Sequence, residues 1–291
     1  MIRPSPGLVR AAEAAEIAAT ESAVLAAPAE FAAAMRLGCA RIGGALLVHA
    51  GALDVLMYNR LVGLGVESPA RLEDVDEAEA RFRSLGAKRY MIPIAPGAAP
   101  DDLADRLAAR GFYRHNHWIR LVRDIDRPGE GHEPAVTPRG GRAGRTDLRI
   151  APLDASHAEE FGRIDAEAFG HPPEVAAWNA RVVGRPGWRF FGAFDGPTLA
   201  GVGGLHVQGP AAWFGYAATR AAYRGRGAQS ALIAARLVAA RDAGCRWCVV
   251  ETAADTPEKP NPSTHNLRRM GFRDAYERPN WVKLLEPAGP A

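Results

Sequence analysis

The stretch Ala221-Ala-Tyr-Arg-Gly-Arg-Gly-Ala-Gln-Ser230 decides the reading of the second half of the chain. Upstream of it, Trp213–Thr219 has the composition of a strand. Downstream, Gln229–Ala243 places Ile233, Leu237 and Ala240 on one face and stops at Gly244, the pattern of a helix. A strand, a glycine-containing loop and a helix start together build an anion site. The first N–H groups of a helix lack intrahelical partners, and they converge where the helix dipole favours negative charge. Gly225 and Gly227 let the backbone come close to a phosphate, and Arg224 and Arg226 are charge-assisted donors. The chain has 36 basic residues, all but Lys88, Lys259 and Lys283 arginine, so a solvated glycine turn competes with this reading. The flanking strand and helix favour the anion site.

Outward from the loop, strands and helices alternate. Leu148–Pro152 reads as a strand, Ser156–Phe169 as a helix with Phe161, Ile164 and Ala168 inward, and Pro172–Val183 as a helix with proline at its start. Strands are expected at Arg189–Phe194 and Leu199–Val207, set off by Asp195-Gly196-Pro197 and Gly209-Pro210. Trp247–Thr252 is a strongly apolar strand. Ser263–Met270 reads as a short helix capped by Asn261 or Ser263, and strands at Ala275–Arg278 and Asn280–Leu285 end the chain. The order is α+β (α/β), a mixed sheet flanked by helices.

Arg224-Gly-Arg-Gly-Ala-Gln229 resembles the acyl-CoA pyrophosphate loop of the GNAT superfamily of N-acetyltransferases, with the pattern Arg/Gln-x-x-Gly-x-Gly/Ala. Arg224 matches the first position and Gly227 the central glycine, while Gln229 departs from the small final residue. The likeness extends over about residues 147–285. It implies acetyl-CoA as acyl donor, no metal, and direct attack by an amine. The loop Arg224, Gly225, Arg226, Gly227, Ala228, Gln229 and Ser230 would hold the pyrophosphate. The main chain of Ala217, Ala218 and Thr219 would pair with the pantetheine arm, and an N–H near Thr219 would polarise the thioester carbonyl. The family's frequent Tyr proton donor falls on Leu267 and is missing. Asn261, Ser263 and Asn266 are the polar side chains that could stand near the sulfur, Asn261 and Ser263 fitting a helix cap equally well. Glu251, ending the apolar strand, and Tyr216, just before the pantetheine segment, are the candidate proton acceptors; His206 reads as structural. The missing Tyr leaves a second reading open, a non-catalytic acyl-CoA sensor or interaction module.

The first half ends as the second does. Leu107-Ala-Ala-Arg-Gly111-Phe112 followed by Trp118–Leu121 parallels Leu267-Arg-Arg-Met-Gly271-Phe272 followed by Trp281–Leu284, each a helix stopping at glycine before an aromatic strand. Two GNAT-like domains are therefore expected, each a mixed central sheet with helices: residues 1–125 degenerate, 147–291 catalytic, joined by the Gly/Pro-rich linker 126–146. In the first half, Asn59-Arg60-Leu-Val-Gly-Leu-Gly65 is followed by Glu67, Glu73, Asp74, Asp76, Glu77 and Glu79 against Arg71, the wrong sign for a pyrophosphate. This half is expected not to bind CoA. It would cover the catalytic half and shape the acceptor pocket, or serve only as a structural pseudo-domain.

Composition narrows the classes. A chain of 291 residues that is 47% hydrophobic and 24% charged has ample core, and a net charge of +3 gives no case for a nucleic-acid partner. No apolar run is long enough to span a membrane. Glu13, Glu16 and Glu21 interrupt the alanine-rich Ala11–Ala27, which reads as a solvent-facing helix. Cys39, Cys245 and Cys248 form no disulfide framework, and Cys245-x-x-Cys248 lacks a second ligand pair for zinc; a reducing cytoplasm fits. Exposed aromatics near Trp178 and Trp188 are where a homodimer would be sought.

Overall fold

The computed structural model describes residues 4–125, 146–258 and 260–285, so the linker expected at 126–146 lies outside the described residues except for Thr146. The chain divides into two compact units whose boundaries fall inside strands. The first unit holds described residues 4–119 and 276–285, and the second holds 120–125 and 146–275. The linear division at 125 and 147 is thus crossed twice, because a strand from each half of the chain runs on into the other half's unit.

In the first unit, helix α1 (Pro6–Val24) begins with Ser5 Oγ accepting the Leu8 N–H at 3.2 Å and with Pro6 in its first turn, where no N–H is missed. Helix α2 (Ala29–Met35) leads into strands β1 (Leu37–Ile42), β2 (Ala45–Ala50) and β3 (Arg60–Val62), then α3 (Leu72–Ser84), β4 (Arg89–Pro93), α4 (Leu103–Ala109) and β5 (Tyr113–Asp124). The sheet order is β1-β2-β3-β4-β11, antiparallel except for the parallel pair β3/β4, where β11 is the last strand of the chain (Arg273–Leu284). Leu47, Leu61, Phe82, Tyr90 and Phe112 form its core, with the Phe82 and Tyr90 rings stacked at 4.5 Å. Each such side chain contributes about 1.5–3 kcal/mol of burial.

Two expectations change in this unit. Helix α1 does not face solvent: Glu13 is 0% and Glu16 1% exposed. Glu13 accepts from Tyr276 Oη and Arg278 Nη1, both at 2.8 Å, and Glu16 accepts from Arg60 Nη1 at 2.7 Å and from Arg278. The two expected end strands are one. Pro279 does not break β11, since a proline needs only a position where its missing N–H is not called on, and its carbonyl accepts from the Ile94 N–H at 3.0 Å.

In the second unit, β6 (Arg149–Pro152) is followed by α5 (Ala158–Phe169), α6 (Pro173–Ala180), β7 (Trp188–Asp195), β8 (Thr198–Gln208), β9 (Ala211–Thr219), α7 (Ala228–Asp242), β10 (Trp247–Ala253) and α8 (Pro262–Arg269). The order is β6-β7-β8-β9-β10 and then β5, whose residues from Arg120 onward belong here. Strands β6 to β9 are antiparallel neighbours, and β9/β10 is parallel. Trp178 and Trp188 are 4% and 7% exposed, so both are buried and neither offers the aromatic surface expected for a homodimer. Gly111 and Gly271 both adopt φ of 82°, the left-handed stop expected of each closing helix, and Phe112 and Phe272 are buried behind them.

Candidate acyl-transfer site

The site is built where β9 and β10 part. Their parallel ladder runs from Ala211 and Trp247 to Phe214 and Val250 and goes no further, although both strands continue. The cause is local. On the β8 side, Gly204 pairs with Gly215 and Val202 with Ala218, so Tyr216 and Ala217 together stand opposite Gly203. Tyr216 takes up the extra residue with φ of 51°, a bulge that bends the strand away from its neighbour. Its ring packs edge-on to Phe161 at 5.7 Å and Trp188 at 5.3 Å, which holds the bulge in place. Beyond it, Ala218 and Thr219 still pair with β8, leaving their other edge toward the split.

The freed edge leads straight to the helix start. A short 3-10 turn at Ala221–Tyr223 precedes the loop, Gly225 and Gly227 both have φ of 80°, and α7 begins at Ala228 with Gly227 as its N-cap. No side chain caps this helix, so the N–H groups of Ala228, Gln229 and Ser230 in its first turn are not engaged by a cap. The first unit differs at the corresponding place. Asp74 Oδ2 accepts the Arg71 N–H at 3.3 Å over the start of α3, and the Ala70 N–H is donated to Ala99 O at 2.8 Å. A Cβ on Gly65 would sit 2.6 Å from that same Ala99 oxygen. Those donors are consumed within the unit.

The two arginines of the loop do different things. Arg224 is exposed. Arg226 bridges Asp195 at 2.8 Å and Asp147, which raises its pKa and lowers theirs, and it lies 5.4 Å from the Tyr223 ring. Its guanidinium ties the loop to the ends of β6 and β7, where the sequence had offered it to a phosphate.

Gln229, Ser263 and Asn266 meet. Gln229 Nε2 donates to Ser263 Oγ at 2.8 Å, and Asn266 Nδ2 donates to Gln229 Oε1, so the side chain that departs from the loop pattern straps α7 to α8. Asn266 also accepts from Arg269. Asn261 is the cap of α8: its Oδ1 accepts the N–H groups of Ser263 and Thr264, and its Nδ2 donates to Ala253 O at 3.1 Å. Thr264 joins Thr252 at 3.0 Å, fixing α8 against β10.

Glu251, one residue past the last paired Val250, has a side chain only 8% exposed. Its Oε2 lies 3.4 Å from the guanidinium of Arg120, which comes from β5 and is fully buried. The sequence reading passed over Arg120. The one signal was a lone charge inside the apolar run Trp118–Val122. Leu267, at the expected Tyr position, is buried and apolar.

The acetyltransferase (GNAT) family model matches residues 154–272. This part of the chain is a GNAT domain. No curated protein matches the chain by sequence. Among solved structures, a tandem GNAT protein from the clavulanic acid biosynthesis pathway is similar over 97% of this chain and 95% of its own, with a TM-score of 0.59 and 16% identity. A GCN5-related N-acetyltransferase from Kribbella flavida covers 96% of each chain, with a TM-score of 0.59 and 13% identity. One from Sphaerobacter thermophilus covers 98% of this chain and 95% of its own, with a TM-score of 0.58 and 16% identity. The chain therefore has the fold of a tandem GNAT protein, and the split between β9 and β10 lies inside the stretch 154–272 that the family model matches. Among the described residues no group of His, Cys, Asp and Glu could hold a metal ion, and no helix is long and apolar enough to cross a membrane.

Proposed function

We propose that this protein is an acyl-CoA-dependent N-acyltransferase, moving an acetyl group from acetyl-CoA to the amine of a small acceptor by direct attack. The observation that carries the reading is the edge of β9 at Ala217–Thr219, past the last pair of the ladder with β10, running into the start of α7, which no side chain caps. Such an edge suits an extended amide-bearing arm, and such a helix start suits a pyrophosphate. In this reading the main chain of Ala217–Thr219 holds the arm, the N–H groups of Ala228, Gln229 and Ser230 with Arg224 hold the phosphates, and Ser263 and Asn266 stand on the opposite wall. The amine nitrogen forms its bond to the thioester carbon as the C–S bond breaks. The proton lost from nitrogen passes to the Glu251 carboxylate, directly or through a water, and the departing thiolate takes a proton from solvent. An N–H near Thr219 stabilises the carbonyl oxygen as it gains charge. Three free cysteines suit a reducing compartment, and we place the protein in the cytoplasm.

One observation favours a second reading. Leu267 supplies no proton donor, as an acyl-CoA sensor would require none. Thiol release from acetyl-CoA with a panel of small amines separates the two: turnover with any amine removes the sensor. Calorimetric CoA binding that survives unchanged in Gly227→Glu removes both.

A further inference from the structure

Burying a charged side chain is costly, and the second unit buries an arginine at the split. Arg120 is 0% exposed, lies 4.8 Å from the centroid of the Trp213 ring on β9, and is 3.4 Å from Glu251 Oε2 on β10. In the sheet order β10 lies between β5 and β9, so the side chain crosses over β10 to touch both strands that part. Strand alternation places Trp213, its partner Val249 and Glu251 on one face. Phe214 lies on the other face, against Phe272 and the Arg236 of α7. The Arg120–Glu251 pair therefore occupies the face away from α7, at the residue where pairing ends.

A buried guanidinium holds its partner carboxylate in one position, and the aromatic ring beneath fixes the guanidinium in turn. We propose that Arg120 is a positioning residue for acyl transfer, one that sets the Glu251 carboxylate at the mouth of the split to receive the proton of the attacking amine. This deepens the acyltransferase reading and rests on it. It also assigns to the GNAT domain's chemistry a residue from the strand that closes the first half of the chain, outside the stretch matched by the family model.

The test compares full-length wild type with Arg120→Lys, Arg120→Met, Glu251→Gln and the double variant Arg120→Met/Glu251→Gln. CoA affinity is read by calorimetry, and turnover by thiol release from acetyl-CoA with the best amine of the panel. Glu251→Gln is expected to lower kcat about a hundredfold. Arg120→Met should lower kcat about tenfold or more while leaving the KM for acetyl-CoA and the Kd for CoA within about twofold, because the loop and the β9 edge are untouched. Arg120→Lys should regain most of the loss. The double variant should be no slower than Glu251→Gln, since a positioning effect vanishes once its target is gone. The neutral double variant also buries no unpaired charge, and it carries the test if Arg120→Met does not fold. The proposal is overturned by wild-type kcat in Arg120→Met or in Glu251→Gln, by kcat and CoA affinity falling in proportion in Arg120→Met, or by the two effects multiplying in the double variant. A wild type that binds no CoA overturns the acyltransferase reading and this proposal together. A wild type that binds and turns over with unaffected variants overturns this proposal alone.

Discussion

Phe214 and Val250 are the last residues joined in the parallel ladder of β9 and β10, and two positions beyond Phe214 the backbone of Tyr216 turns left-handed. The opening of the sheet thus depends on one residue in a conformation that costs an L-amino acid about 1–2 kcal/mol.

That dependence can be tested by choosing side chains that tolerate the turn unequally. Tyr216→Asn and Tyr216→Val both lose the ring contacts with Phe161 and Trp188. Asparagine accepts the left-handed conformation and a β-branched residue resists it. Tyr216→Val is expected to be about 1 kcal/mol less stable than Tyr216→Asn in urea unfolding, and to bind CoA more weakly. Equal stability and equal CoA affinity in the two variants would show that the bulge does not rely on this residue.

The loop arginines give a second contrast. Arg226 already faces two carboxylates, Asp147 and Asp195, whereas Arg224 is exposed. Arg226→Ala leaves both carboxylates uncompensated beside the loop, and CoA affinity is expected to fall about three- to tenfold through repulsion. Adding Asp147→Asn and Asp195→Asn should restore it. The loss in Arg224→Ala should persist in that same background and should flatten the salt dependence of CoA binding. Failure of the two asparagines to rescue Arg226→Ala means that Arg226 reaches the phosphates itself.

The strand, glycine loop and helix start were legible because their information is local. Glycine and arginine spacing, a strand ending at Thr219 and a helix start within one residue of the expected Gln229 all lie inside about twenty residues. What escaped depends on partners far away in the chain. Glu13 and Glu16 read as solvent-facing because each interrupts an alanine run, yet Arg278, 262 residues from Glu16, is what draws them inward. Arg120 was assigned to the first half because it precedes the linker, and only the sheet order brings it beside Glu251. The end of β11 was misread for a local reason: Pro279 looks like a stop, and whether its missing N–H matters depends on which neighbour the strand pairs with. Sequence periodicity carries contacts within an element and its turn; it does not carry the choice of partner strand.

The cluster beneath α1 shows the size of such a distant effect. Glu16 serves two buried arginines, Arg60 and Arg278, and Arg60 also reaches Thr20 Oγ1 at 3.3 Å. Removing one partner of a buried ion pair leaves an uncompensated charge, which costs about 3–5 kcal/mol. Glu16→Gln is expected to destabilise the first unit on that scale in urea unfolding. Glu16→Met combined with Arg278→Met should be less damaging than Glu16→Met alone. A stability loss below about 1 kcal/mol in Glu16→Gln would mean that the remaining carboxylate, Glu13, neutralises both arginines unaided.

The second unit holds a buried carboxyl of the opposite kind, with no cation beside it. Asp165 on α5 accepts from Asn179 Nδ2 of α6 at 2.8 Å through Oδ2, and its Oδ1 has no partner among the described residues. Burial alone pushes its pKa up from 3.8 to about 7. Below the unfolded value both states are protonated and the group is neutral in stability. As the pH rises toward 7 the unfolded chain releases its proton while the folded one keeps it, so stability is lost across that window and the penalty is complete above it. Asp165→Asn keeps the shape and cannot ionise. Its thermal midpoint is expected to match wild type at about pH 4 and to exceed it increasingly up to about pH 8, an advantage on the order of 2–4 kcal/mol at the upper end. A difference between the two proteins that does not change with pH would show that Asp165 is solvated or paired in solution.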